Sequence, residues 1–266
     1  MGDAIVITRR SMAVFMLLTV SSTAKLAFGA TNTNSLVQVV HVHLVGEVAP
    51  VFHKRLMDLR IRQCAMQGTP VAPPPPRTPL HATIADNYYA TGGMSSYNET
   101  KIYMVDLDCR LIRKDTLKIT TWTALGVCST DRETKRSTGE CNVDIASLAI
   151  PPDPKALRKN VLLNGESKVI AGHQCTFLNN PSIAPFRSCI AREGIFANVV
   201  TRKSMSYGAT LRIEHRDPSA EDPKIITTEA TEIHTNVMIP LTTFAPQLSG
   251  KYKIISTSLP KTENDE

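Results

Sequence analysis

Beyond residue 30 the chain has no apolar run approaching the ~20 residues that a membrane-spanning helix needs. It has no CxxC pair, which argues against a zinc ribbon or a thioredoxin-type redox site. GxSxG, HExxH, GxGxxG and the phosphate-binding GxxxxGKS/T are all missing, so no common catalytic elbow, zinc helix or nucleotide loop is expected. Basic residues are in mild excess, with a formal net charge of +6, but they are not clustered as nucleic-acid recognition requires. Aromatics make up only 5% of the chain, and no repeat of fixed period occurs.

What is present begins with an export signal over residues 1–30. Arg9 and Arg10 precede the apolar run Met12–Val20, and small residues lead to a cleavage site after Gly29 or Ala30. The paired arginines also fit a twin-arginine signal, so the general secretory and twin-arginine routes both stay open. The expected compartment is periplasmic or secreted.

All six cysteines lie after this segment, an even number behind a signal, which predicts disulfides in an oxidising compartment. Pairing neighbours in sequence gives Cys128–Cys141 and Cys175–Cys189, leaving Cys64–Cys109. The second of these staples the stretch 165–196, where two short apolar runs flank a loop containing Asn179, Asn180, Pro181 and Pro185.

Period-two alternation predicts a strand over Leu36–Val45 and a second over Leu56–Met66, although Phe52, Leu56 and Leu59 also suit a short helix. Residues 31–67 therefore read as an N-terminal strand pair. Residues 68–80, with four consecutive prolines at 73–76, read as an extended spacer. Residues 81–258 read as the main antiparallel domain. Strands are expected at 101–107, 110–112, 116–123, 209–215 and 225–236, with a loop at 91–96 and a charged hairpin loop at 129–140. The one good helix start is Asp153-Pro154, an N-cap followed by proline at the first helical position. Residues 259–266 read as a disordered tail. The expected fold class is mainly β (α+β): an antiparallel meander or half-barrel with one short helix, stapled by disulfides.

His41 and His43 stand two apart on a strand and share a face, the geometry of a zinc or copper site that still needs a third ligand. Glu214-His215-Arg216-Asp217 groups an acid, a base and further charges at a strand end. Neighbours on a strand point to opposite faces, so it reads as a solvated turn. Asn98-Glu99-Thr100 matches a glycosylation sequon, set aside because the signal segment has a bacterial character.

Two pieces resemble a family of exported bacterial proteins. Gly165-x-x-Lys168-x-Ile170-Ala171-Gly172-x-x-Cys175 is similar to an element of the DUF4412/GLPGLI type. Glu232–Pro240, followed by Phe244, is similar to that family's closing strand and turn, and Tyr103–Leu107 suits a middle strand. The resemblance covers about residues 81–255. It implies a sheet wrapped into a half-barrel like the LolA-type lipoprotein carriers, with a concave face that takes acyl chains, and it brings no catalytic residues. The six cysteines and the tetraproline segment depart from those carriers. On such a face Ile170, Ile195, Val199, Leu211, Ile213 and Ile233 are the expected ligand-facing residues.

The functional expectation is an exported, non-catalytic protein without a cofactor that binds an apolar or lipid-like small molecule. Two alternatives stand beside it: a metal-binding protein using His41 and His43, and an envelope-assembly component that meets an envelope protein through its proline spacer. No nucleic-acid partner is expected, and the membrane enters only as the export route.

Overall fold

The computed structural model describes residues 35–149, 166–178, 186–191, 193–194, 196–198, 205–215 and 226–255. The expected export segment, the expected helix start at 153–154, Ile195, Val199, Arg216, Asp217 and the C-terminal tail lie outside these residues.

The β-branched run near the N-terminus forms β1 (Leu36–Val48), and Pro50 then occupies the first turn of α1 (Pro50–Met66). Strands β2 (His81–Ala90), β3 (Gly93–Val105), β4 (Leu111–Thr123), β5 (Gly126–Asp131) and β6 (Arg136–Gly139) follow as a meander, then the one-turn helix α2 (Ile145–Leu148). After it come β7 (Ser167–Ile170), β8 (His173–Phe177), β9 (Phe186–Ala191), β10 (Phe196–Asn198), β11 (Met205–Tyr207), β12 (Thr210–His215) and β13 (Ile226–Pro240). The short helix α3 (Leu241–Phe244), a 3-10 turn at Pro246–Ser249 and β14 (Lys253–Ile255) follow β13. Twelve strands form one sheet in the order β14-β6-β5-β4-β3-β2-β1-β13-β12-β9-β8-β7, and β10 pairs with β11. The fold is mainly β, an open antiparallel sheet with few helices; among the described strand pairs only β14 on β6 runs parallel.

Three expectations are corrected. Leu56–Met66 is the latter part of a 17-residue helix, not a strand. Its apparent alternation is incidental: Met57 and Cys64, seven residues and two helical turns apart, are the buried pair, while Leu56 and Leu59 stay exposed. There is accordingly no N-terminal strand pair, because β1 is an interior strand, bonded to β2 on one side and β13 on the other. The proline-rich segment thus returns the chain from α1 to β2 within one sheet. Residues 91–96 and 113–115, expected as breaks, belong largely to strands: only Thr91–Gly92 turns, and β3 and β4 pair without interruption from Gly93↔Thr123 to Val105↔Leu111.

Each face of the sheet carries a buried cluster. On one, Val42, Leu44, Ala85, Tyr89, Phe177 and Leu211 pack with the Cys175–Cys189 bridge into a single cluster. On the other, Val37, Val39, Ile239, Leu241 and Phe244 form a second cluster with Leu148 of α2. The β2–β3 turn is held there by Thr91 Oγ1 and the Gly92 N–H, which donate to the Leu148 carbonyl at 2.6 and 2.8 Å. A Cβ on Gly92 would lie 2.0 Å from the Ser147 carbonyl oxygen, so that approach requires glycine.

The three expected cysteine pairs all form: Cys64–Cys109, Cys128–Cys141 and Cys175–Cys189, with Cα–Cα distances of 5.7, 4.7 and 5.4 Å. Three bridges with no free cysteine point to an oxidising compartment. Among the described residues no helix is long and apolar enough to cross a membrane.

Candidate functional site

Two places gather unused chemistry. The first is a groove between α1 and the far end of β3, with a volume of about 480 Å³. Leu56, Met57 and Leu59 line it from the helix, Ile102 and Met104 from the strand, and His53 and Arg60 supply polar groups. The volume lies within the range of small-molecule sites. Leu56, Leu59 and Met104 remain 47%, 48% and 45% exposed, so their apolar surface is not covered by protein. The helix is fixed over the strand by the Cys64–Cys109 bridge and by Arg60, whose Nη2 donates to the Asp106 carbonyl at 3.1 Å. At one end of the groove the imidazoles of His53 and His81 meet at 2.9 Å. Desolvation by burial lowers the pKa of both, and the nearby His53 lowers that of His81 further.

The second place is the sheet face carrying His41 and His43. Register puts Tyr88 and Asp86 of β2 opposite them on one side, and His234 and Glu232 of β13 opposite them on the other. His41 Nε2 and His43 Nδ1 both lie 2.8 Å from Asp86 Oδ1. Burial alone would raise the Asp86 carboxyl, but hydrogen bonds from His43 and His41, and their charge, outweigh it and hold the pKa below the usual carboxylate value. The His41 ring stacks on Tyr88 at a centroid distance of 4.7 Å and on His234 at 5.8 Å. Two β-bulges in β13 bracket this segment. Between Val39 and His41 the partner advances from Val237 to His234, and between His43 and Leu44 from Glu232 to Ala230. Each bulge reverses the alternation: Val237 faces the same cluster as Val39, Ile233 packs with Val42 on the other face, and Glu232 and His234 turn toward the histidines. Among the described residues no three His, Cys, Asp or Glu side chains stand ready-made as a metal cage.

Of the residues expected to face a ligand, Ile170, Leu211 and Ile233 pack instead in one protein cluster. Ile170 and Leu211 are buried against protein side chains, because the sheet's own strands cover them, and Ile233 packs on the same cluster. Ile213 is half-buried on β12. Glu214 does not sit in a solvated turn. It accepts from Arg212 Nε at 2.6 Å and lies 4.0 Å from Arg187, in an ion-pair network that Glu229 extends to β13 and Lys168. Sequence reasoning missed Asp86, which has no local signature. It also missed the groove, because the alternation over Leu56–Met66 predicts a strand where α1 lies.

No protein-family model and no curated protein matches the chain. Among solved structures, an uncharacterized conserved protein from Thermus thermophilus matches at 10% identity with a TM-score of 0.36. That match covers 85% of this chain and 94% of that one.

Proposed function

We propose that this is an exported, non-catalytic binding protein that holds an elongated apolar molecule with an anionic end in the groove between α1 and β3. The observation that carries the reading is the half-exposed surface of Leu56, Leu59 and Met104 facing one another across a cavity of about 480 Å³. Arg60 on its lining supplies a fixed positive charge, which selects an anionic head over a neutral one. The resemblance to the GLPGLI type and to LolA-like carriers agrees with an acyl chain as cargo, although the seat differs from the sheet residues first expected to face it. The export segment at 1–30 and the three disulfides agree with a periplasmic or secreted site of action.

The experiment is binding of a fluorescent fatty-acid probe to the oxidised, processed protein, together with solvent extraction and native mass spectrometry of freshly purified material. Saturable binding lost in Leu59→Lys and weakened in Arg60→Gln supports the reading. A clean apo mass with no probe binding overturns it.

A further inference from the structure

The cluster on β1, β2 and β13 carries an inference that does not depend on the apolar ligand. We propose that His41, His43 and Asp86, completed by His234, form a binding site for a first-row divalent ion of the zinc or copper class.

The ligand types come first. Imidazole and carboxylate suit zinc and copper, and a closed site takes about four such donors. The register supplies them without any change in backbone: His41 and His43 project from the same face of β1, Asp86 stands directly across from His43, and His234 directly across from His41. The two imidazole nitrogens already converge on one point, since both lie 2.8 Å from the same carboxylate oxygen. That oxygen now accepts two N–H donors. An ion at ~2.0–2.1 Å from each nitrogen would replace those protons and keep the carboxylate as a ligand. The required movement is confined to side chains. Asp86 must swing aside and the rings must tilt, and all three side chains are partly exposed. His234 is more exposed still and its ring already stacks beside His41, so it reaches the position by rotation.

Without its two bulges β13 would alternate regularly and turn Glu232 and His234 to the face occupied by Ala230. The irregularities flank this short segment and aim both side chains at the β1 histidines, the arrangement by which bulges build sites at the cost of ladder pairing. Glu232, 3.3 Å from His234 Nε2, is placed to orient that ring as an outer partner.

The test is calorimetric titration of the oxidised full-length protein with zinc and with copper(II) after chelator treatment, with copper electron paramagnetic resonance as a second readout. One saturable ion per chain and nitrogen hyperfine coupling are expected. The double variant His41→Gln/His43→Gln should abolish both signals, and Asp86→Asn should raise the Kd by about 10–100-fold. Glutamine retains hydrogen bonding toward Asp86, and an unchanged circular dichroism spectrum and absence of free thiols establish that the variants are folded. Fatty-acid probe binding should be unaffected by any of these changes, which separates this site from the groove. Absence of saturable binding, or binding that survives the double histidine variant, overturns the proposal and leaves an adventitious ion only.

Discussion

The hydroxyl of Tyr89 on β2 accepts a hydrogen bond from the backbone N–H of Thr210 on β12 at 3.1 Å, although β1 and β13 stand between those strands in the sheet. At the usual strand spacing a flat sheet would hold β2 and β12 ~14 Å apart. The bond therefore requires the sheet to curl toward the face that carries Val42, Leu44 and Leu211, and it closes that curl from the side of Tyr89.

Tyr89→Phe keeps the ring in its buried place and removes the hydroxyl to which the Thr210 N–H and Asn87 Nδ2 donate. A loss of about 1–3 kcal/mol is expected, the cost of removing the acceptor from a partly buried donor. Urea unfolding monitored by circular dichroism measures it. A change within a few tenths of a kcal/mol would mean that the curl is held by apolar packing alone.

The bridges should differ in weight. Cys64–Cys109 closes a span of 45 residues, against 13 for Cys128–Cys141 and 14 for Cys175–Cys189. Chain entropy then gives about 4 kcal/mol for the first and about 3 kcal/mol for each of the others. The long bridge also fixes α1 over β3. A Cys64→Ser/Cys109→Ser variant should be the least stable of the three double serine variants, and the only one of the three to lose fatty-acid probe binding.

The disulfide map and the β class were legible because both rest on local rules: short cysteine spacings and period-two alternation. The helix was not. Met57, Leu59 and Ile61 alternate against Asp58, Arg60 and Arg62, and the strand pattern outweighed the seven-residue step from Met57 to Cys64. Of the candidate sites, the His41–His43 face could be read from β1 alone, whereas Asp86 enters only through cross-strand register. The strand at β13 was legible, but its two bulges hid which face each residue serves. One bulge lies between Ile233 and Val237, so these residues, four apart in sequence, serve opposite faces.

Acid should loosen the groove end. Burial lowers the pKa of both His53 and His81, so the folded state favours their neutral forms more than the unfolded chain does. Between the unfolded value near 6.5 and the lower folded values the unfolded chain binds more protons. Stability contributed by the pair is thus complete above about pH 7 and falls as pH drops through that window. Unfolding midpoints measured from pH 7.5 to pH 5 should decline, and His81→Phe should flatten the decline. An equal slope in the variant would assign the pH dependence to other groups.

The bulge beside the histidine cluster rests on Asn236, which adopts a left-handed backbone with φ 58° on a strand. Asparagine tolerates that region and glycine enters it freely, whereas a β-branched residue is strained there. Asn236→Gly should hold stability within about 0.5 kcal/mol, and Asn236→Val should cost about 1–3 kcal/mol. Loss of the bulge would restore regular alternation and set Val237 and His234 on opposite faces, so that they could no longer both match Val39 and His41. The valine variant should therefore also weaken zinc binding, while the glycine variant leaves it intact. Paired urea unfolding and zinc titration of the two variants check both outcomes. Stability and zinc affinity unchanged by valine would show that the left-handed turn at Asn236 does not aim the His234 side chain.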